Sequence, residues 1–357
     1  MQVFDTALLV SAVTIMAPIL LATVGELVSE RAGVMNVGLE GVLLTGAFTG
    51  YLTESLTHQI GLGFLGGMVG GLAFGVLMAV LAVEAKVDQI VAGIALNLLG
   101  LGLTTFGNQR IFTTPEAFAP LPRLAVPGLA AVPVIGPGLF RQDAFVYATA
   151  LAVLAVGLAV TRTTWGIGLR ATGESPVSAD AAGVSVRAMR WSATLFSGLC
   201  AGAAGAYISI GDVGVFRADM TGGRGYLALA AVLFGGWRLR GALVAVAIFG
   251  VADAVELRLQ ASGGVPREVW IAALLLVVVL GAGARLRGGR LWRPGPALVG
   301  GLIALAVLAV TSPALNVPVP LWLALPYVLA LVALAGDGKR RHRPPAALAV
   351  PYRRSEA

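Results

Sequence analysis

Few side chains in this sequence have the type and spacing to do chemistry. The 357 residues contain one cysteine, Cys200, and two histidines, His58 and His342, both in connecting segments. One cysteine makes no intrachain disulfide, and no cluster has metal-ligand spacing. A phosphate-binding loop needs G-x-x-x-x-G-K-[ST]. The only lysines are Lys86, after Ala85, and Lys339, before Arg340, and neither fits. No catalytic or metal residue is therefore assigned, and a membrane-embedded enzyme would lack its nucleophile and base. What remains is hydrogen bonding by polar groups set in apolar runs. Such groups are costly in a membrane, so each is a candidate to meet a solute. Asn36 and Glu40 lie four apart, and Asn97 sits in IALNLLG. For Glu40 and Asn97 the alternative is hydrogen bonding between helices. Asp253 and Glu256 are read as structural, paired with Arg258 or Arg267. Asp219 and Arg224 are read as shaping a re-entrant turn. Phe106, Phe112, Tyr207 and Phe216 could stack a flat ring, with ordinary packing as the alternative for each.

The elements that position these residues follow from composition. Hydrophobic residues make up 57% of the chain, charged residues 12%, and mean hydropathy is +0.88. Soluble domains are about 25% charged, so a soluble enzyme, a nucleic-acid binder and a disordered chain are poor fits. Apolar runs fall near 6–25, 36–53, 61–83, 89–107, 143–161, 191–211, 225–236, 241–257, 268–284, 297–312 and 319–336. This predicts an all-α polytopic bundle of about 10–11 membrane segments, broken or re-entrant ones included. No basic region with a cleavage site precedes 6–25, so that run is expected to be a retained span. The run 225–236 is too short to cross unaided. The stretch 24–41, VGELVSERAGVMNVGLEG, carries Glu26, Glu30, Arg31 and Glu40 among glycines. It is expected to be broken backbone buried in protein, with Asn36 and Glu40 on one face if that piece is helical. Gly67, Gly71 and Gly75 recur at four-residue spacing, as do Gly198 and Gly202, and predict close helix packing.

Charge orients the bundle. Of the 25 Lys and Arg, 18 fall in one alternating set of connections and seven in the other. The positive-inside rule places the richer set, with the C-terminus, in the cytoplasm. That reading accounts for the net charge of +7 without a nucleic-acid partner. The outer loop 108–142 is rich in proline and is either a docking surface or a structured cap. The inner loop 162–190 reads RTTWGIGLRATGESPVSADAAGVSVRAMR. Ser175 suits an N-cap, Pro176 the first helical position and Gly183 the stop. A helix over Pro176–Ala182 is predicted, with Val177 and Ala181 on one face. Such a helix could pass force to a soluble motor or be a plain connector.

Several segments together resemble membrane permeases of nucleoside and simple-sugar ATP-binding-cassette (ABC) importers, in the branched-chain-type permease superfamily. They are ERAGVMNVGLEGVLLTGAF (30–48), VDQIVAGIALNLLGLGLT (87–104), ATGESPVSADAAGVSVRAMR (171–190), GLCAGAAGAY (198–207), MTGGRGYLALAAVLFGGW (220–237), LPYVLALVALAG (325–336) and PAALAVPY (345–352). The chain is most similar to the shorter of two permease types that pair as a heterodimer. It departs from the pattern at 263–316, which reads as an inserted helical hairpin.

The resemblance implies a permease domain over 1–336, with a coupling loop at 162–190 and a basic cytoplasmic tail at 337–357. It implies a multi-pass protein of a bacterial plasma (inner) membrane. The implied partners are a separate ATPase that uses ATP and Mg, a second permease subunit and an extracytoplasmic solute-binding protein, with no cofactor on this chain. Gly173, Glu174, Ser175, Asp180 and Gly183 would form the ATPase-coupling element. Asn36, Glu40, Asn97, Phe106 and Tyr207 would line the path, because uncharged sugars and nucleosides need hydrogen bonds and, for bases, stacking. An ion-coupled secondary transporter or a channel is the alternative. It would be expected to show inverted repeats or buried coupling acids; no convincing repeat is visible, and the acids are few.

Overall fold

An apolar run with one internal proline, Pro18, forms the first helix, α1 (Thr6–Arg31). A non-helical stretch follows at 32–38, and then α2 (Leu39–Thr57) begins. The computed structural model describes residues 6–112, 114, 116–132, 135–262 and 343–352. The remaining helices are α3 (Ile60–Ala79), α4 (Gln89–Ile111), α5 (Ile135–Phe140), α6 (Ala144–Arg162), α7 (Thr164–Glu174), α8 (Pro176–Ala181), α9 (Val186–Ala206), α10 (Arg224–Phe234) and α11 (Leu239–Ser262). π-Helical turns extend α3 over Val80–Glu84 and α9 over Tyr207–Val213.

The protein is a polytopic helical membrane protein. Among the described residues, α1, α3, α4, α6 and α9 are long and apolar enough to cross a bilayer. Of the predicted spans, the eight up to residue 257 each coincide with a helix. The runs 268–284, 297–312 and 319–336 and the insert 263–316 lie outside the described residues. The predicted short run is α10, with 11 residues. At 1.5 Å per residue it reaches about half the thickness of a bilayer core. One boundary is corrected. The stretch 24–41 is not broken throughout, because α1 stays helical to Arg31 and only 32–38 leaves the helix. Asn36 is therefore not on a helical face with Glu40.

Glycine sets the packing at the centre. The strip Gly67, Gly71 and Gly75 on α3 faces Gly198 and Gly202 on α9, and Gly46 on α2 meets Gly202 as well. A Cβ on Gly202 would stand 2.9 Å from the Gly71 Cα, and one on Gly46 would stand 2.5 Å from the Gly202 Cα. Only bare backbones can come that close. The core of α1, α2, α3 and α9 follows, with Phe74, Met78, Leu43 and Ile19 buried in it. By contrast α4 buries one stripe, Ala92, Leu96, Gly100 and Thr104, and leaves its other faces exposed.

The described residues of the proline-rich loop form a cap. Strands β1 (Arg123–Ala125) and β2 (Arg141–Asp143) pair antiparallel, with Arg123 opposite Asp143. Phe118 and Leu121 donate their N–H groups to the carbonyls of Gly214 and Gly211 at the end of α9. The Tyr51 hydroxyl donates to the Glu116 carbonyl at 2.8 Å.

Candidate functional site

A chain that leaves its helix inside a bundle must find new partners for its backbone N–H groups. The 32–38 break shows where they go. Met35 N–H donates to Gln89 Oε1 at 2.8 Å, and Asn36 N–H to Glu26 Oε1 at 2.7 Å. Gly38 N–H donates to Asn36 Oδ1 at 3.0 Å, and Gly41 N–H, inside α2, donates to Asn97 Oδ1 at 2.7 Å. Side chains from α1, α4 and the break itself thus replace the missing helical ladder. Asn97 also donates through Nδ2 to the Val37 carbonyl and to the Tyr226 hydroxyl, both at 3.0 Å.

The carboxylates around the break are held by N–H and O–H donors. Glu26 accepts a second bond from the Ser197 hydroxyl at 3.0 Å. The indole N–H of Trp237 donates to Glu30. Glu40 accepts the N–H groups of Gly223 at 2.8 Å and Gly225 at 2.6 Å. It therefore closes the N-terminus of α10, where unpaired N–H groups and the helix dipole favour an anion. The Asn36 side-chain amide nitrogen is buried with no partner among the described residues.

Three of the five expected path residues converge here: Asn36, Glu40 and Asn97. The other two stand elsewhere. Phe106 is 64% exposed on the outer face of α4. Tyr207 is buried beneath the loop cap, where its hydroxyl donates to Asp143 Oδ2 at 2.6 Å and its ring stacks on Phe145 at 4.1 Å. Phe112 and Phe216 pack edge-on against Phe48 and at a tilt against Tyr51, within one aromatic cluster. Asp219 takes a left-handed φ of 59°, and Arg224 donates to the carbonyls of Met220 and Thr221, so both shape the turn that leads into α10. Glu256 is buried on α11, and Arg267 lies outside the described residues.

Sequence reasoning noted Glu26 in the 24–41 stretch without giving it a partner, and it missed Gln89, Ser197 and Tyr226. Glu26 carried a signal, an acid in an apolar run beside a glycine. Gln89 and Ser197 carried none, because each is an ordinary polar residue until the break lies beside it.

A second cluster surrounds α8. The Ser175 hydroxyl accepts the Ser178 N–H at 3.3 Å, and Gly183 stops the helix with φ +82°. Val177 is 49% exposed, and Ala181 is exposed beside it. An apolar groove of about 620 Å³ runs between α7 and α8, lined by Trp165, Ile167, Ala179 and Met189 among others. Gly173, Glu174 and Asp180 all touch the C-terminal segment. Gly173 accepts the Ala347 N–H at 2.8 Å, Glu174 the Ala346 N–H at 3.4 Å, and Asp180 the Tyr352 hydroxyl at 3.1 Å. Among the described residues no group of three or more His, Cys, Asp or Glu could hold a metal.

Residues 8–282 match the family described as "Branched-chain amino acid transport system / permease component". The "Putative glucose ABC transporter permease protein TsgC13" of Haloferax volcanii is 38% identical over 72% of this chain and 79% of its own length. The "Guanosine ABC transporter permease protein NupQ" of Bacillus subtilis is 34% identical over 68% of this chain and 79% of its own. The "Nucleoside ABC transporter permease protein NupC" of Lactococcus lactis is 33% identical over 66% of this chain and 77% of its own. No solved structure matches.

Proposed function

The chain belongs to the branched-chain amino acid transport system permease family, and from that premise we propose that it forms part of the path by which an ATP-driven importer takes up a nucleoside or a simple sugar. It is a transport subunit and not an enzyme; a separate ATPase would hold and hydrolyse ATP with Mg. The observation that carries the solute class is the bond set of Glu40. A half-length helix inside a membrane offers its N-terminus to anions. Here a carboxylate of the chain already fills it, which suits the path to a neutral, hydroxyl-bearing solute.

The path is assigned to the side of the break that carries Asn97 and Tyr226. Their side chains bond each other, and Tyr226 is 45% exposed. Polar groups facing hydrocarbon are costly, so water or a second permease subunit would cover this surface. The exposed face of α4 beside it suits that second subunit. Orientation follows the arginine-rich connections: α8 and the C-terminus would be cytoplasmic, with α8 against the ATPase. The loop cap would face the extracytoplasmic solute-binding protein.

Uptake by the assembled transporter in proteoliposomes tests this reading. Guanosine or glucose should accumulate only with internal ATP and the binding protein. Accumulation driven by a proton gradient without ATP would contradict it and favour an ion-coupled transporter.

A further inference from the structure

Residues Arg343–Tyr352 form a short strap that bonds to three separate parts of the bundle. Of the three bonds described above, those to Gly173 and Glu174 hold the last residues of α7, where the chain enters α8, and the bond from Tyr352 to Asp180 holds α8 itself. At the α1–α2 break, the Ala349 N–H donates to the Gly33 carbonyl at 3.1 Å. On α9, Arg190 donates to the carbonyls of Val350 at 2.9 Å and Ala347 at 3.4 Å. Arg190 is only 1% exposed, the largest side chain buried to that degree among the described residues.

We infer that this strap mechanically links α8 to the α1–α2 break, and that Arg190 is the residue that positions it. Three observations carry the inference. First, the bonds are in series: the strap reaches Gly33, three residues before Asn36, whose N–H is held by Glu26. A displacement of α8 is therefore delivered to the backbone beside the path. Second, the strap is stiff. Pro344, Pro345 and Pro351 fix their own φ, so a push is passed on. Third, Ala349 sits at φ +59°. Left-handed backbone in a residue with a Cβ persists only where its surroundings over-determine it. A loosely draped tail would relax. Close approach also depends on glycine, because a Cβ on Gly33, at φ +93°, would stand 3.0 Å from both the Ala347 carbonyl and the Arg190 guanidinium.

The inference rests on the reading of α8 as the ATPase-facing helix, and the test separates the two. Transporters assembled with their partner chains would carry Arg190→Gln, Tyr352→Phe or a chain ended after Arg343. Uptake and ATP hydrolysis would be measured on the same proteoliposomes. Uptake per ATP should fall about fivefold or more for Arg190→Gln and the truncated chain, while hydrolysis continues. Tyr352→Phe loses one hydroxyl and should fall in the same direction by about twofold or more. If the larger changes prevent assembly, Tyr352→Phe decides. Uptake and hydrolysis falling together with the amount of complex would make the strap a plain structural clip and overturn the inference. Unchanged coupling in the strap variants, beside an uncoupled Gly183→Val protein, overturns the strap alone. Unchanged coupling in Gly183→Val as well overturns the reading of α8 and the strap with it.

Discussion

The carboxylate of Glu40 and the N–H of Gly225, 185 positions apart in the chain, are joined by a hydrogen bond of 2.6 Å. That bond fixes where α10 begins. A Cβ on Gly225 would stand 2.5 Å from the Glu40 backbone nitrogen and 2.6 Å from its Cα, so the contact requires glycine. Glu40 thus ties the start of α2 to the start of the half-length helix α10.

Glu40→Gln keeps the shape but turns one acceptor into a donor facing an N–H. Leaving that buried donor unpaired should cost about 1–3 kcal/mol. Lower thermal stability and a lower yield of assembled complex are expected, with the apparent solute affinity of the remaining complex unchanged. Weakened affinity at full yield would instead make Glu40 a solute ligand.

Tyr207 should behave in the same way for a different reason. Tyr207→Phe removes the hydroxyl that binds Asp143, and that carboxylate also caps α6 through the Val146 N–H. Loosening of the loop cap is expected, seen as faster proteolysis of 108–142 in purified protein. A selective loss of nucleoside affinity with an intact cap would place Tyr207 on the path.

The glycine strips allow a paired test. Gly202→Val should abolish assembly, because its Cβ would meet the Gly71 Cα at 2.9 Å. Gly102→Ala, with nothing within 4 Å of its Cβ, should leave assembly intact. Yield of monodisperse protein in detergent reads both. Equal outcomes for the two would mean that the strips do not set the packing.

How much of this was legible in the sequence depends on the range of the interaction. Ser175, Pro176 and Gly183 announced α8 to within one residue, because caps act over three or four positions. The glycine strips announced a close packing face by their spacing, but not that α3 would meet α9. The break was placed too early by composition, since Glu26 and Glu30 resemble loop residues yet sit on α1. Their tolerance comes from Asn36, Ser197 and Trp237, and the last two lie more than 150 positions away. Asn97 was visible as a polar outlier. Its role as the clasp between the break and Tyr226 was not, because that role exists only once α2, α4 and α10 are packed.

Gly183 probes the stop of α8. Valine there must adopt φ +82°, at a cost of about 1–2 kcal/mol, and should unwind the last turn and uncouple hydrolysis from uptake. Gly183→Asn tolerates the left-handed region and should remain coupled. Coupled transport in both variants would reduce α8 to a connector.

The side of the bundle along which solute passes is tested most directly at Tyr226. Cys200, the one native cysteine, is buried, so a cysteine placed at 226 can be labelled against a quiet background. The measurement is the rate of labelling of Tyr226→Cys by a small water-soluble thiol reagent in the assembled transporter, with and without ATP and saturating guanosine. Labelling that occurs, changes through the ATP cycle and slows with guanosine is the result the account predicts. No labelling in any state would put this surface in lipid and contradict it.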